Sequence, residues 1–142
     1  DGVLSQGHST LAQLSEASID ALCQYFNVGR STRFMKSSEL KSQGKSSQRL
    51  LDLTLEVGGS IYITGHGALK YLDHELFERS AVRVEYIDYQ KRPYAQLHGA
   101  FLPYVSALDL AANCGQDGAV AVCSKSLFWR DFLDGRNIKI SK

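Results

Sequence analysis

Apolar residues in the first part of the chain recur at the three- and four-residue spacing of an amphipathic helix. The stripe runs from Leu11 to Phe26. Ser9 or Thr10 is placed to cap its start, and Gly29 is placed to end it. This pattern predicts a helix of about five turns at the usual rise per turn.

Two strands and a second helix are predicted next. Residues 32–36 read as a short strand, and a polar, glycine-containing loop follows. A second amphipathic stretch carries Leu50 to Val57 on its apolar face. Residues 60–64 lack polar alternation, which is typical of a strand buried on both faces of a parallel sheet.

The middle of the chain continues the alternation of strand and helix. A third helical region follows residue 67, with Asp73 placed to cap its second part. Apolar residues from Val82 to Tyr86 then alternate with charged ones, as in a half-exposed strand. The order predicts an α/β fold with a small, mostly parallel sheet flanked by helices.

The last third is less regular. Residues 88–103 predict a long loop of the kind that is usually functional. Residues 105–113 are apolar nearly all round, so we expect a buried helix there. Residues 119–122 fit a strand or a helix, and residues 127–133 predict a short helical segment that carries Trp129.

Composition places the chain among single-domain cytoplasmic proteins. Its 142 residues are 44% hydrophobic and 22% charged, with a net charge of +1. That length suits one domain over residues 1–142. The balanced charge argues against a nucleic-acid partner, and no apolar run is long enough to span a membrane. The oligomeric state cannot be read from the sequence.

Cysteine and histidine spacing predicts neither a disulfide framework nor a metal site. Cys23, Cys114 and Cys123 are odd in number and far apart, which favours reduced thiols in a reducing compartment. The four histidines lack the spacing of a metal-binding motif. We therefore expect no metal and no cofactor.

The start of the second helix is a candidate anion site. Lys45, Ser46 and Ser47 precede it, and Ser37 and Ser38 close the strand before it. Backbone N–H groups at a helix start, a lysine and hydroxyls can hold phosphate. A full phosphate-binding loop is excluded, because the first glycine of that motif is missing. The alternative is a solvent-exposed loop with a serine cap.

Two further turns are candidates for substrate contact. Gly65 and His66 follow the predicted buried strand, where ligands bind in open α/β sheets. Gln96 and His98 lie in the long loop. His98 is our candidate for proton transfer, and it either folds back over the site or hydrogen-bonds to the loop backbone and holds it.

Three polar residues share one face of the otherwise apolar helix at residues 105–113. Ser106, Asp109 and Asn113 are spaced by three and four positions. In one interpretation Ser106 caps the helix and Asp109 is its reciprocal partner. In the other, Asp109 and Asn113 face a ligand or another part of the protein.

Six segments in order resemble motifs of the WbqC-like proteins. Lys45–Leu51 is similar to their KSSxRLL segment, and Tyr62–Gly65 to their YLSG turn. The other resemblances are those of Tyr71–Phe77 to YLDxxLF, Glu85–Tyr89 to EYxDY, Gln96–Phe101 to QLHGxF, and Val105–Gly115 to VSILDLLFNCG. The resemblance covers the chain from about Thr32 to Gly115.

The resemblance implies a role in O-antigen and related surface-polysaccharide biosynthesis. It implies glycyl or other aminoacyl transfer to an amino sugar, with a nucleotide-linked amino sugar as substrate. The family's N-terminal strand and HQPNYLP-like turn have no counterpart here. We therefore expect the chain to be the C-terminal portion of a longer protein, with the N-terminal part as a partner and with activity dependent on it. His66 stands where the family has proline, so no role for it is implied.

Two classes of function follow. The first is a transferase, with His98 and Asp109 as catalytic residues. It requires the lysine-serine turn, the His66 turn and the Gln96–Gly99 segment to share one pocket. The second is a non-catalytic partner of a pathway enzyme, in which those polar residues are structural. A nucleotidyltransferase-like fold is a third hypothesis.

Overall fold

The computed structural model describes residues 2–122 and 124–136. Asp1, at the start of the polar lead-in, and Cys123 lie outside these residues. Two compact units divide the chain. We call Asp1–Arg33 with Gln90–Cys123 the helical unit, and Phe34–Tyr89 with Ser124–Lys142 the sheet unit. The single-domain organisation expected from the length stays a prediction.

The sheet unit holds the described strands together with helices, whereas the regular elements of the helical unit are helices. The strands are β1 (Ile61–Thr64), β2 (Arg83–Asp88) and β3 (Lys125–Phe128). The helices are α1 (Gly2–Ser5), α2 (Leu11–Tyr25), α3 (Ser46–Glu56), α4 (His74–Arg79), α5 (Ala107–Cys114), α6 (Ala119–Val122) and α7 (Trp129–Asp134). Turns of 3₁₀ helix lie at Ser37–Glu39, His66–Lys70 and Gly115–Gly118. None of the described helices combines the length and apolarity that a bilayer crossing requires.

The sheet confirms the predicted fold class, and it includes one antiparallel strand pair that the sequence did not predict. Strand order is β1-β2-β3; β1 runs parallel to β2, and β3 runs antiparallel to it. Helices flank this small mixed sheet, and α7 is the last helix of the described residues. The strand expected at residues 32–36 is wrong, because these residues have no regular secondary structure and Phe34 is 60% exposed.

The core of the sheet unit forms on one face of β2. Val82, Val84 and Tyr86 are buried at alternate positions, as the sequence predicts. Phe77 of α4 and Phe132 of α7 are almost fully buried in the same cluster. Large side chains of this kind each stabilise the fold by roughly 1.5–3 kcal/mol when buried.

Strand β1 is not buried on both faces as its apolar sequence suggested. Ile61 and Ile63 are 48% and 53% exposed, while Tyr62 packs against the Phe77 ring at 5.1 Å between centroids. The strand lies at the edge of the sheet, and only one of its faces meets the core. Continuous hydrophobicity therefore marked a strand correctly but overstated its burial.

Helices of the helical unit begin and end near the predicted residues. The Thr10 side chain accepts a hydrogen bond from the Gln13 N–H and caps α2. The predicted helix at residues 105–113 is α5, but its predicted burial is wrong. Leu110 is buried there, whereas Leu108 is 67% exposed. Residues 119–122 are helical, which settles the alternative left open by the sequence.

Candidate functional site

The predicted site residues fall in both compact units. The helical unit holds Gln96, His98, Asp109 and Asn113. The sheet unit holds Ser37, Ser38, Lys45, Ser46, Ser47, Gly65 and His66. A pocket common to all three segments stays a prediction, and each group is described with the neighbours of its own unit.

Asp109 joins the long loop to helix α5. Its Oδ2 atom accepts hydrogen bonds from the Tyr94 hydroxyl at 2.7 Å and from Gln96 Nε2 at 3.1 Å. Ser106 caps α5 by accepting from the Leu108 N–H, which confirms half of the capping prediction. The reciprocal role of Asp109 is wrong, because its carboxylate faces the loop instead.

Gln96 closes a short loop because its side-chain amide pairs with the Leu102 backbone, as a second peptide group would. Its Oε1 atom accepts from the Leu102 N–H at 2.8 Å, and its Nε2 donates to the Leu102 carbonyl at 3.1 Å. Asn113 fixes the other side, since its Oδ1 accepts from the Leu97 N–H at 3.0 Å. We call Tyr94, Gln96, Asp109 and Asn113 the loop clamp.

Backbone and aromatic contacts complete the loop that the clamp holds. Gly99 has φ +69°, a conformation that L side chains rarely adopt. The Tyr94 and Phe101 rings meet edge to face at 5.3 Å. Partial burial, and then the hydrogen bond to Asp109, raise the pKa of Tyr94, so its hydroxyl remains a donor at neutral pH.

His98 lies within the clamped loop and is exposed to solvent. Across residues 2–122 and 124–136 its ring makes no hydrogen bond. Holding the loop backbone is therefore the work of Gln96 and Asn113 rather than of His98. An exposed imidazole on a fixed loop can exchange protons with a bound molecule.

His66 lies where the parallel strands of the sheet unit end. Its Nε2 atom is 2.8 Å from the carbonyl oxygen of Ile87. A carbonyl only accepts, so Nε2 must carry the proton, and the other ring nitrogen is left to accept in the neutral form. The imidazole also contacts the Phe132 ring at 4.8 Å between centroids.

A surface ion pair lies beside Phe132, the ring that His66 contacts. The Arg136 guanidinium lies 4.7 Å from the Phe132 ring centroid and 3.1 Å from Asp88 Oδ1. Sequence reasoning missed Ile87 and Phe132 as neighbours of His66. Their separation along the chain gave no local signal of this proximity.

Ser47 joins α3 to the turn before α4. Its hydroxyl donates to the Tyr71 carbonyl at 3.3 Å and accepts from the Asp73 N–H at 2.9 Å. Neither Ser46 nor Ser47 caps α3, whose N-cap is Lys45 without a side-chain cap bond. The predicted serine cap is therefore wrong.

The start of α3 is crowded by its own chain. A Cβ on Gly44 would lie 3.1 Å from the Arg49 backbone nitrogen and 3.0 Å from Asp52 Oδ2. Lys45 and Ser46 are exposed, and Ser46 has φ 51°. A carboxylate near this turn disfavours a second negative group. Ser37 and Ser38, which are also exposed, lie in the preceding 3₁₀ turn.

A buried polar pair in the sheet-unit core was not foreseen from the sequence. His74 is 5% exposed, and its Nε2 atom shares a 2.8 Å hydrogen bond with the Tyr86 hydroxyl. Burial lowers the pKa of His74 and raises the pKa of Tyr86 to about 12. Both groups are therefore neutral at physiological pH, and the pair has a structural role in the core.

The described residues contain no cluster of His, Cys, Asp or Glu suited to a metal ion. Cys23 and Cys114 are free thiols, each half-buried.

Comparison with known proteins decides the family. The model of the WbqC-like protein family matches residues 1–120. The chain belongs to the WbqC-like family. This match extends the resemblance seen in the motifs to the start of the chain. It includes the loop clamp and His66, whereas β3 and α7 follow it.

A relative of the WbqC-like chain is found in Mycobacterium tuberculosis. It is the uncharacterized protein Rv1507c, which is 34% identical over 115 residues. The alignment covers 80% of this chain and 49% of the relative. The chain thus spans about half the length of the relative it matches. No solved structure matches the chain.

Proposed function

We propose that this WbqC-like chain takes part in an acyl transfer of surface-polysaccharide biosynthesis, with an amino sugar as acceptor. One observation supports the site: the clamp fixes a loop whose histidine remains exposed. Family membership supports the pathway. A preorganised loop on a helix is a suitable support for a reacting group.

In the proposed reaction, His98 receives a proton from the acceptor. The amino nitrogen of the sugar forms a bond with the acyl carbon of the donor, such as a glycyl ester. The bond from that carbon to the donor's leaving oxygen breaks, and the leaving oxygen takes the electron pair. The attacking nitrogen gives its proton to the neutral imidazole, which can return it to the leaving oxygen.

Asp109 acts through the clamp in this proposal. Its Oδ2 atom is occupied by Tyr94 and Gln96, so it positions the loop rather than the imidazole directly. Gln96 and Asn113 shape the backbone on both sides of His98. These three are positioning residues, and their loss should disorder the loop.

Substrate contacts in the sheet unit remain part of the proposal. Gly65 and His66 follow the end of β1, where open sheets commonly bind ligands. Ser37, Ser38, Lys45 and Ser46 are exposed and available for contact. Ser47 is the weakest of this set, because its hydroxyl already bridges two backbone groups.

Non-catalytic partnership is the second candidate function. It is favoured by apolar side chains that the helical unit exposes near the clamp. Leu97, Leu102 and Leu108 are 81%, 62% and 67% exposed. Apolar groups exposed to this degree are suited to contact with another protein.

Acyl transfer can be measured directly. The protein is incubated with a UDP-linked amino sugar and glycyl-tRNA, and mass spectrometry follows the gain of a glycyl group. We expect His98→Gln to slow transfer by about 100-fold or more, the usual effect of losing an acid–base group. His8→Gln is the matched histidine control, because the His8 ring bonds the Val3 carbonyl and belongs to no proposed site; it should retain activity.

The outcomes separate the two functions. Equal rates for wild type and His98→Gln would contradict the catalytic proposal. An absence of transfer, together with tight binding to a pathway enzyme that Leu97→Ser and Leu108→Ser abolish, would favour the partnership function.

A further inference from the structure

Two basic residues open the long loop of the helical unit, and each is fixed by a contact other than an acid. Lys91 Nζ lies 4.4 Å from the centroid of the Tyr104 ring. Arg92 donates from a guanidinium nitrogen to the Val120 carbonyl at 2.9 Å. Both side chains are exposed, so the charges face solvent while their positions are restrained.

The local backbone also restrains this pair. The Arg92 N–H donates to the Gln90 carbonyl at 2.8 Å, which closes a three-residue turn. Pro93 follows, and a residue before proline is held in extended conformations. The two cations therefore occupy a stiffened segment rather than a free loop tip.

Neither cation is neutralised within the part of the chain that the structure describes. Lys91 and Arg92 have no carboxylate within ion-pair distance there. Arg83, Arg130 and Arg136 differ, since each pairs with a glutamate or an aspartate. Adjacent like charges held without an acidic partner raise the local potential and favour a bound anion.

An aromatic face lies beside Lys91. Tyr104 is 79% exposed, although its ring already contacts Lys91. Exposed tyrosine rings stack on planar bases and on the apolar faces of sugars, while lysine and arginine hold phosphate oxygens. The three side chains together match the parts of a nucleoside diphosphate.

We infer that Lys91, Arg92 and Tyr104 form a binding site for the nucleoside diphosphate of a nucleotide-linked sugar, with both cations on the diphosphate and the tyrosine on the base. The inference rests on the proposed function for the choice of ligand. It places the anion in the unit that holds His98, instead of at the helix start around Lys45.

Calorimetric titration of the full chain with UDP, uridine and inorganic pyrophosphate tests this site. We expect UDP to bind, pyrophosphate to bind more weakly and uridine to bind weakest. The double variant Lys91→Gln/Arg92→Gln should weaken UDP binding by about 10-fold or more, as charge-assisted hydrogen bonds are lost. Tyr104→Leu should weaken UDP binding more than pyrophosphate binding, because it removes the stacking ring as well as the contact that restrains Lys91.

Lys125→Gln is the matched control, since Lys125 is an exposed lysine outside both candidate anion sites, and Lys45→Gln tests the competing site. Loss of UDP binding in Lys45→Gln with none in the double variant would overturn the inference. Absence of UDP binding, or equal binding of UDP and pyrophosphate, would overturn it too. Transfer that depends on His98 could persist in each case, so this failure is distinguishable from failure of the proposed function.

Discussion

Replacing Gln96 by alanine should release the loop that carries His98. The substitution removes four hydrogen bonds: two to the Leu102 backbone, one to Asp109 and one to the Tyr94 hydroxyl. Each is worth about 0.5–1.5 kcal/mol net. Because the loop is largely exposed, we take values toward the low end and expect a local loss of about 2 kcal/mol.

Amide hydrogen exchange measures this loss where it occurs. A local loss of about 2 kcal/mol corresponds to roughly 30-fold faster exchange at the Leu97 and Leu102 amides. Gln48→Ala is the matched control, because it removes a single exposed bond to Asp52 on α3. It should change stability by only about 0.2–0.5 kcal/mol and leave the loop unaffected. If amide exchange in the loop were unchanged in Gln96→Ala, the clamp would not be what holds the loop.

Three further predictions concern the sheet unit. Ser47→Ala should lower the free energy of unfolding by about 1–3 kcal/mol, measured in urea, because the Asp73 N–H loses its partner; a purely substrate-binding Ser47 would leave stability intact. Tyr86→Phe should cost about 1–3 kcal/mol by the same assay, since His74 loses its hydroxyl partner inside the core; an unchanged midpoint would contradict this. Burial lowers the pKa of His74, so the unfolded chain binds a proton at this residue more readily than the folded protein does. The stability that neutral His74 contributes is therefore complete above about pH 6.5 and is lost as pH falls through the lower folded-state pKa. Urea titrations of wild type and His74→Phe at several pH values should show this loss only in wild type.

The sequence predicted the sheet where periodicity and burial agree. Val82, Val84 and Tyr86 alternate with charged residues and are buried as expected. Residues 32–36 resembled a strand but have no regular secondary structure, because a short segment does not show whether a partner strand lies beside it. Strand β3 was missed for the same reason, since its pairing with β2 depends on contacts distant in the sequence.

The clamp was only partly predictable. Asp109 and Asn113 were singled out as polar residues on an apolar helix, which is a sound signal of hydrogen bonding, and Gln96 was singled out as a residue of the long loop. Their partners could not be assigned, because Asp109 is closer in sequence to Ser106 than to Tyr94. Sequence spacing favoured a capping role for Asp109 at the start of α5, whereas in the folded loop Tyr94 and Gln96 donate to its carboxylate instead. His66 illustrates the same limit, since its partner Ile87 belongs to another strand.

The most direct test of the account follows the four histidine rings by NMR during titration with a UDP-linked amino sugar. We predict that the His98 resonances shift at saturation and that Gln96→Ala weakens or broadens this response. The His74 ring, buried against Tyr86, should remain unchanged. A shift confined to His66, with His98 unaffected, would contradict the assignment of proton transfer to the clamped loop.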